Sequence, residues 1–144
     1  MSGLTLDIAH AILAACLDGA RKRGLKPVAV AVLDERGALK AAGVEDRTSL
    51  KRFEIAQGKA FGAIALGMGS RSIFTRAKDQ PYFVAAVGTL AGGNLVPVPG
   101  GVLIRSADGT LVGAVGISGD SSDKDETVAI EAIGMVGLVA DPGA

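Results

Sequence analysis

The sequence predicts an α+β fold, and three observations carry that reading. Two pairs of apolar β-type runs are each joined by a tight turn: residues 28–33 meet 38–43 through Asp34-Glu35-Arg36-Gly37, and 101–105 meet 111–117 through Ser106-Ala107-Asp108-Gly109. Apolar residues recur at helical spacing outside these hairpins. The resulting order is helix, hairpin, three helices, hairpin, helix (α-β-β-α-α-α-β-β-α), with an antiparallel strand pair in each hairpin.

Thr5 is the expected N-cap of the first helix, with Leu4 and Ala9 placed as a hydrophobic staple and Asp7 in the first turn. Ala9, Ile12, Leu13, Cys16 and Ala20 form its apolar face, Arg21 to Arg23 suit the negative end of its dipole, and Gly24 ends it. Cys16, in the middle of that face, reads as a small buried hydrophobe. After the first hairpin, Thr48 or Ser49 caps a second helix over residues 50–66 that buries Phe53, Ala56, Ala60 and Ile64. Gly67 and Gly69 break it. Ser70 caps a short helix through Ile73 to Lys78, and Pro81 opens another that carries Tyr82 and Phe83. Ser122 with Asp125 approximates a capping box for the last helix, which runs to about Val136.

The stretch from Gly92 to Gly119 organises the rest. Val96-Pro97-Val98-Pro99 is held extended by its prolines and released into a corner at Gly100-Gly101. Such a corner exposes backbone N–H groups; it either binds a carboxylate or propionate or is simply a tight turn. Gly113 and Gly116 interrupt the final strand, where a helix or a ligand must approach the backbone closely.

Gly92-Gly93, Val96 to Gly101, Asp108-Gly109 and Gly113 to Gly119 together resemble the signature of the GlcG/HbpS-like family, also called haem-degrading or PduO C-terminal-like domains. Ala56, Lys59 and Ala60 are similar to its A-x-x-K-A pattern, and Asp125-Glu126 to an acidic pair opening its last helix. The resemblance implies a profilin-like sheet arrangement, a haem, corrinoid or other small anionic ligand, and a haem-ligating histidine on the first helix. Two departures stand out. Arg47 is an unusual addition to a lead-in that otherwise carries an acidic residue, here Asp46, and small residues. Glu131-Ala132 stands where relatives carry Ala-Gly.

Composition sets limits. The 144 residues are expected to form one domain, 1–144, long enough to bury a core of Ala, Val, Ile and Leu, since aromatics are 3% and Trp is absent. Fifteen basic and fifteen acidic residues leave no net charge and no basic stripe, which argues against a nucleic-acid partner. Positive mean hydropathy at zero net charge suits a homo-oligomer, a dimer or larger. The lone Cys16 forms no internal disulfide. No run is long and apolar enough to span a membrane, and the N-terminus lacks a basic region ahead of its apolar part, so a cytoplasmic location is expected.

Several chemistries lack their residues. His10 is the only imidazole, so a Ser-His-Asp triad is poorly served, and no multi-ligand zinc set or Walker A loop is present. His10 is either a boundary residue with one nitrogen in water or an axial ligand to haem or a metal. Lys59 is either a surface cation or a charge aimed into a site. The candidate ligand-binding set is His10, Lys59, Pro99, Gly100, Gly101, Asp120 and Asp125. Lys59 and Glu131 are the residues that would serve catalysis on an organic acid. Three functions stay open at this point: a binding protein for a small molecule, haem among the possible cofactors; a small cofactor-independent isomerase, lyase or hydrolase of a catabolic pathway; and a regulatory partner without a ligand.

Overall fold

The computed structural model describes residues 3–144; Met1 and Ser2, which belong to the N-terminal leader reading, lie outside the described residues. The elements are α1 (Leu6–Lys22), β1 (Ala29–Asp34), β2 (Leu39–Val44), α2 (Arg52–Leu66), α3 (Ser70–Asp79), α4 (Pro81–Leu90), β3 (Gly101–Arg105), β4 (Leu111–Ser118), α5 (Ser122–Met135) and β5 (Val139–Asp141). The strands form one antiparallel sheet in the order β2-β1-β4-β3-β5. The order of helices and hairpins agrees with the sequence-based expectation, to which the structure adds β5. That strand is three residues long, too short to show alternation, and it pairs only along the free edge of β3.

Helices cover both faces of the sheet. On one, α1 and α5 pack Ile12, Cys16, Val128 and Ile133 against Val30, Val32, Val102, Val115 and Ile117. On the other, α2 sets Ala60 and Ala63 on Leu33, Leu103 and Ala114. A central strand covered on both sides reads as an unbroken apolar run, and all six residues of β1 are buried. A third, smaller core of Ile73, Val84 and Leu95 joins α3 to α4.

The interrupting glycines of the sheet serve helix packing. A Cβ at Gly116 would overlap the carbonyl oxygen of Ala56, and one at Gly101 would overlap that of Lys59. The backbone of α2 therefore rests directly on β3 and β4. The opposite side of α2 is equally close to the chain, because a Cβ at Gly58 would lie 2.7 Å from Val96 Cγ2. With small residues taking both contacts, Phe53 and Ile64 are pushed to half-buried flanks instead of the expected core face.

Capping differs in detail. Thr5 Oγ1 accepts from the Ile8 N–H as expected. At α2 the Thr48 hydroxyl instead donates to the carbonyls of Glu45 and Val28, leaving Lys51 at the cap without a side-chain bond. The cap of α3 is Gly69, because the Ser70 hydroxyl is used elsewhere, and the cap of α5 is Ser121, one residue before the expected Ser122.

Candidate functional site

The glycine corner and Lys59 do meet. Gly100, at φ +119°, has no Cβ to occupy the space where the Lys59 ammonium lies; a Cβ there would be 2.8 Å from Nζ. Lys59 Nζ donates to the Ile117 carbonyl at 2.8 Å and stands 3.5 Å from a carboxylate oxygen of Asp125. Asp125 also accepts the N–H groups of Gly119 and Asp120 at 3.2 and 3.1 Å. Burial pushes the Lys59 ammonium down and the Asp125 carboxyl up, and the opposite charge of each resists the shift in the other.

The anion that Lys59 meets is thus one of the chain's own side chains. Gly101 donates its N–H to the buried Ser70 Oγ at 2.7 Å, and the Gly100 carbonyl accepts from Ile117 N–H. Pro99, Gly100, Gly101, Lys59 and Asp125 are all buried, and the polar groups of this corner are satisfied within the chain.

The neighbouring acids are engaged in the same way. Glu126 takes the Arg71 guanidinium, which also reaches Asp123, and so clamps α3 to α5. The acidic pair at the start of α5 thereby holds two different helices. Asp120 accepts the backbone N–H groups of Lys26 and Ser121 at 2.8 and 2.7 Å, which keep its carboxyl below the usual range. Glu131 lies apart from this cluster: it is exposed and forms a two-bond ion pair with Arg23 at the end of α1. Lys59 and Glu131 do not converge on a common cavity, so nothing in the arrangement favours the enzyme reading built on them.

His10 is exposed on α1, and its imidazole has no hydrogen bond or ion pair among the described residues. Helical spacing places it on one stripe with Leu6, Leu13 and Leu17. Leu13 and Leu17 pack on Gly43 of the edge strand β2, while Leu6 is 49% exposed. An unpaired imidazole on an apolar stripe fits the donor that a haem iron takes.

Clefts open on the surface of the described residues. The apolar one, about 310 Å³, lies between α4 and Leu95-Pro97, and another of about 250 Å³ is lined by Glu54, Gln57 and Asn94. Two others adjoin one another between the end of α1, the end of β2 and the start of α2. The smaller, about 220 Å³, is bordered by Lys26, Arg47, Thr48, Ser49, Arg52 and Gly119; the larger, about 480 Å³, shares Arg47 and adds Arg21, Glu45 and Asp46. Sequence reasoning noted Arg47 as an addition but missed its company, because Lys26 reaches it only through the pairing of β1 with β2 and Arg52 only through the turn between β2 and α2.

Solved structures share this arrangement. A PduOC–haem complex superposes with a TM-score of 0.84 at 25% identity, covering 95% of this chain and 97% of that one. HbpS gives 0.79 at 26% identity, covering 95% and 92%, and a glutamate-to-aspartate double mutant of Streptomyces reticuli HbpS gives 0.80 at 25%, covering 95% and 89%. No curated protein matches. Residues 4–134 match the family described as haem degrading protein HbpS-like, and the chain belongs to that family.

Proposed function

We propose that this chain is a binding protein for a haem- or corrinoid-type or other small anionic organic ligand, and that His10 supplies the axial nitrogen when the ligand is haem. The observation that carries the reading is membership of a family described as haem degrading, together with the likeness to a haem-complexed structure along nearly the whole chain. The exposed, unpartnered imidazole of His10 supports it. Bound haem would supply the iron centre. The protein would supply the imidazole and, beside it, the apolar side chains of Leu6 and Leu13.

The same proposal takes residues 1–144 as one unit that works as a homo-oligomer in the cytoplasm. Support comes from α4, which carries no charged residue and exposes Tyr82 and Leu90 at 73% and 87%. Self-association would cover such a face. No helix of the described residues is long and apolar enough to cross a membrane.

Haemin titration tests the ligand. The native chain is expected to give a saturable Soret band, and His10→Ala to shift or abolish it. No saturable band in the native chain would end the haem reading, and an unchanged spectrum in His10→Ala would remove His10 from it. Light scattering that finds only 14.4 kDa particles at micromolar concentration would end the oligomer reading.

A further inference from the structure

The two adjoining clefts at Arg47 gather the arginines that the rest of the molecule leaves unpaired. Arg21, Arg23, Arg36, Arg71 and Arg105 each hold a carboxylate, and Arg76 lies 4.3 Å above the Phe83 ring and bonds Gln80. Arg47 and Arg52 have no ion pair among the described residues, and neither does Lys26 on the same cleft wall. The carboxylates nearby are held elsewhere or stand aside. Glu45 is bound by Arg21 and by the Val28 N–H, Asp120 faces the backbone N–H groups of Lys26 and Ser121, and Asp46 lines only the larger cleft.

The backbone adds a separate observation. Arg47 is the only non-glycine residue at positive φ among the described residues, at +69°. A glycine or asparagine would adopt that conformation at lower cost, yet a long cation occupies it. Arg52 is fixed by one hydrogen bond to Ser118 Oγ at 3.1 Å, which leaves the rest of its fork of donors free. It also opens α2, whose N-terminal end has no side-chain cap and carries the positive end of the helix dipole.

We infer that this cleft is a binding site for an oxyanion, the carboxylate or phosphate group of a small molecule. Arg47 and Arg52 are the fork donors, and Lys26 is a point charge beside them. The volume of about 220 Å³ suits such a group, and the adjoining 480 Å³ leaves room for the body that carries it. The site is distinct from that of the haem proposal and does not rest on it. Arg21, at the cleft's edge, lies eleven positions after His10 on α1, about 17 Å along the helix axis.

The test uses the full chain without haemin, so its failure and that of the haem reading are separable. Amide chemical shifts are followed while inorganic phosphate or succinate is added at constant ionic strength. Saturable shifts around Lys26, Arg47 to Arg52 and Gly119 are expected, and the tighter of the two anions identifies the class. Arg47→Gly removes the charge while supplying the residue that φ +69° favours, so it is expected to fold and yet to lose at least about tenfold in affinity, the loss expected of one charge-assisted hydrogen bond. Arg52→Gln is expected to do the same, and Lys40→Gln, on the β2 edge, to change nothing. Shifts that never saturate with either anion, or native affinity in both Arg47→Gly and Arg52→Gln, would overturn the assignment.

Discussion

The corner at Lys59 and the cleft at Arg47 are both built from cations and turn residues, yet they end in opposite states. At the corner, the ammonium, the carboxylate and the backbone donors are buried and satisfied by one another. At the cleft Lys26 and Arg47 have no ion pair among the described residues and Arg52 has only the Ser118 hydroxyl, and at His10 the imidazole is likewise unpaired. The corner residues are also those that carry the family resemblance, whereas Arg47 is a departure from it. The contrast teaches that the signature of this chain encodes how α2, β3, β4 and α5 lock together. The cations around Arg47 lie on a surface that the signature does not describe.

The comparison is broken most severely by removing the corner's own anion. Asp125→Ala leaves the Lys59 charge buried without its counter-ion and frees two backbone N–H groups, and a loss of about 3–5 kcal/mol in urea unfolding is expected. Lys59→Met should cost less, about 1.5–3 kcal/mol, since Asp125 keeps its two backbone donors. The pH dependence has a definite sign. The folded-state pKa of Asp125 is already raised and loses its one opposing cation in that variant, so the Lys59→Met deficit should shrink as pH falls toward the carboxylate range. If Lys59→Met instead unfolds like the native chain but loses ligand, the corner is a binding site and the contrast drawn above fails.

Next in size is the contact of α2 with the sheet. Gly116→Ala forces a methyl group into the Ala56 carbonyl and should cost about 1–3 kcal/mol by thermal unfolding, while Gly134→Ala, with open space around it, should cost nothing from crowding. Equal stability of Gly116→Ala and the native chain would mean that α2 does not rest on the strand backbone.

How much of this was legible in the sequence follows from the range of the interactions. Hairpins, helix order and the Thr5 cap rest on residues within a few positions of one another, and these agreed. Gly113 and Gly116 announced a close approach, but only the fold shows that Gly116 meets a helix backbone and not a ligand. Lys59 was read as surface or pocket because its partner, Asp125, lies on another helix at the far end of the chain. Arg47 looks odd alone; its meaning depends on Lys26, which only the pairing of β1 with β2 brings beside it.

Cys16 sharpens the comparison from the apolar side. Burial pushes its thiol up to about 12, from 9.0 when exposed, so at pH 8 it should resist a disulfide reagent until urea unfolds the chain. The sign of the linkage follows. Above about pH 9 the unfolded chain gives up this proton and the folded chain keeps it, so the native protein should lose about 1.4 kcal/mol per pH unit relative to Cys16→Ala. Rapid labelling of the folded protein would show that the α1 face of the core opens.

The smallest effect belongs to Glu131, and it separates a surface pair from a site. Its carboxylate holds Arg23 by two bonds, but the side chains are 52% and 42% exposed, so water screens most of their attraction. Glu131→Gln keeps the shape and removes the charge, and it should cost about 0.2–1 kcal/mol, less as salt is raised. Haemin and phosphate binding should both be unchanged, because Glu131 is held by Arg23 and borders neither cleft at Arg47. A loss above about 2 kcal/mol, or a variant that no longer binds a ligand of the native chain, would return Glu131 to the functional site and make its replacement of a small residue on α5 a change of chemistry instead of a surface substitution.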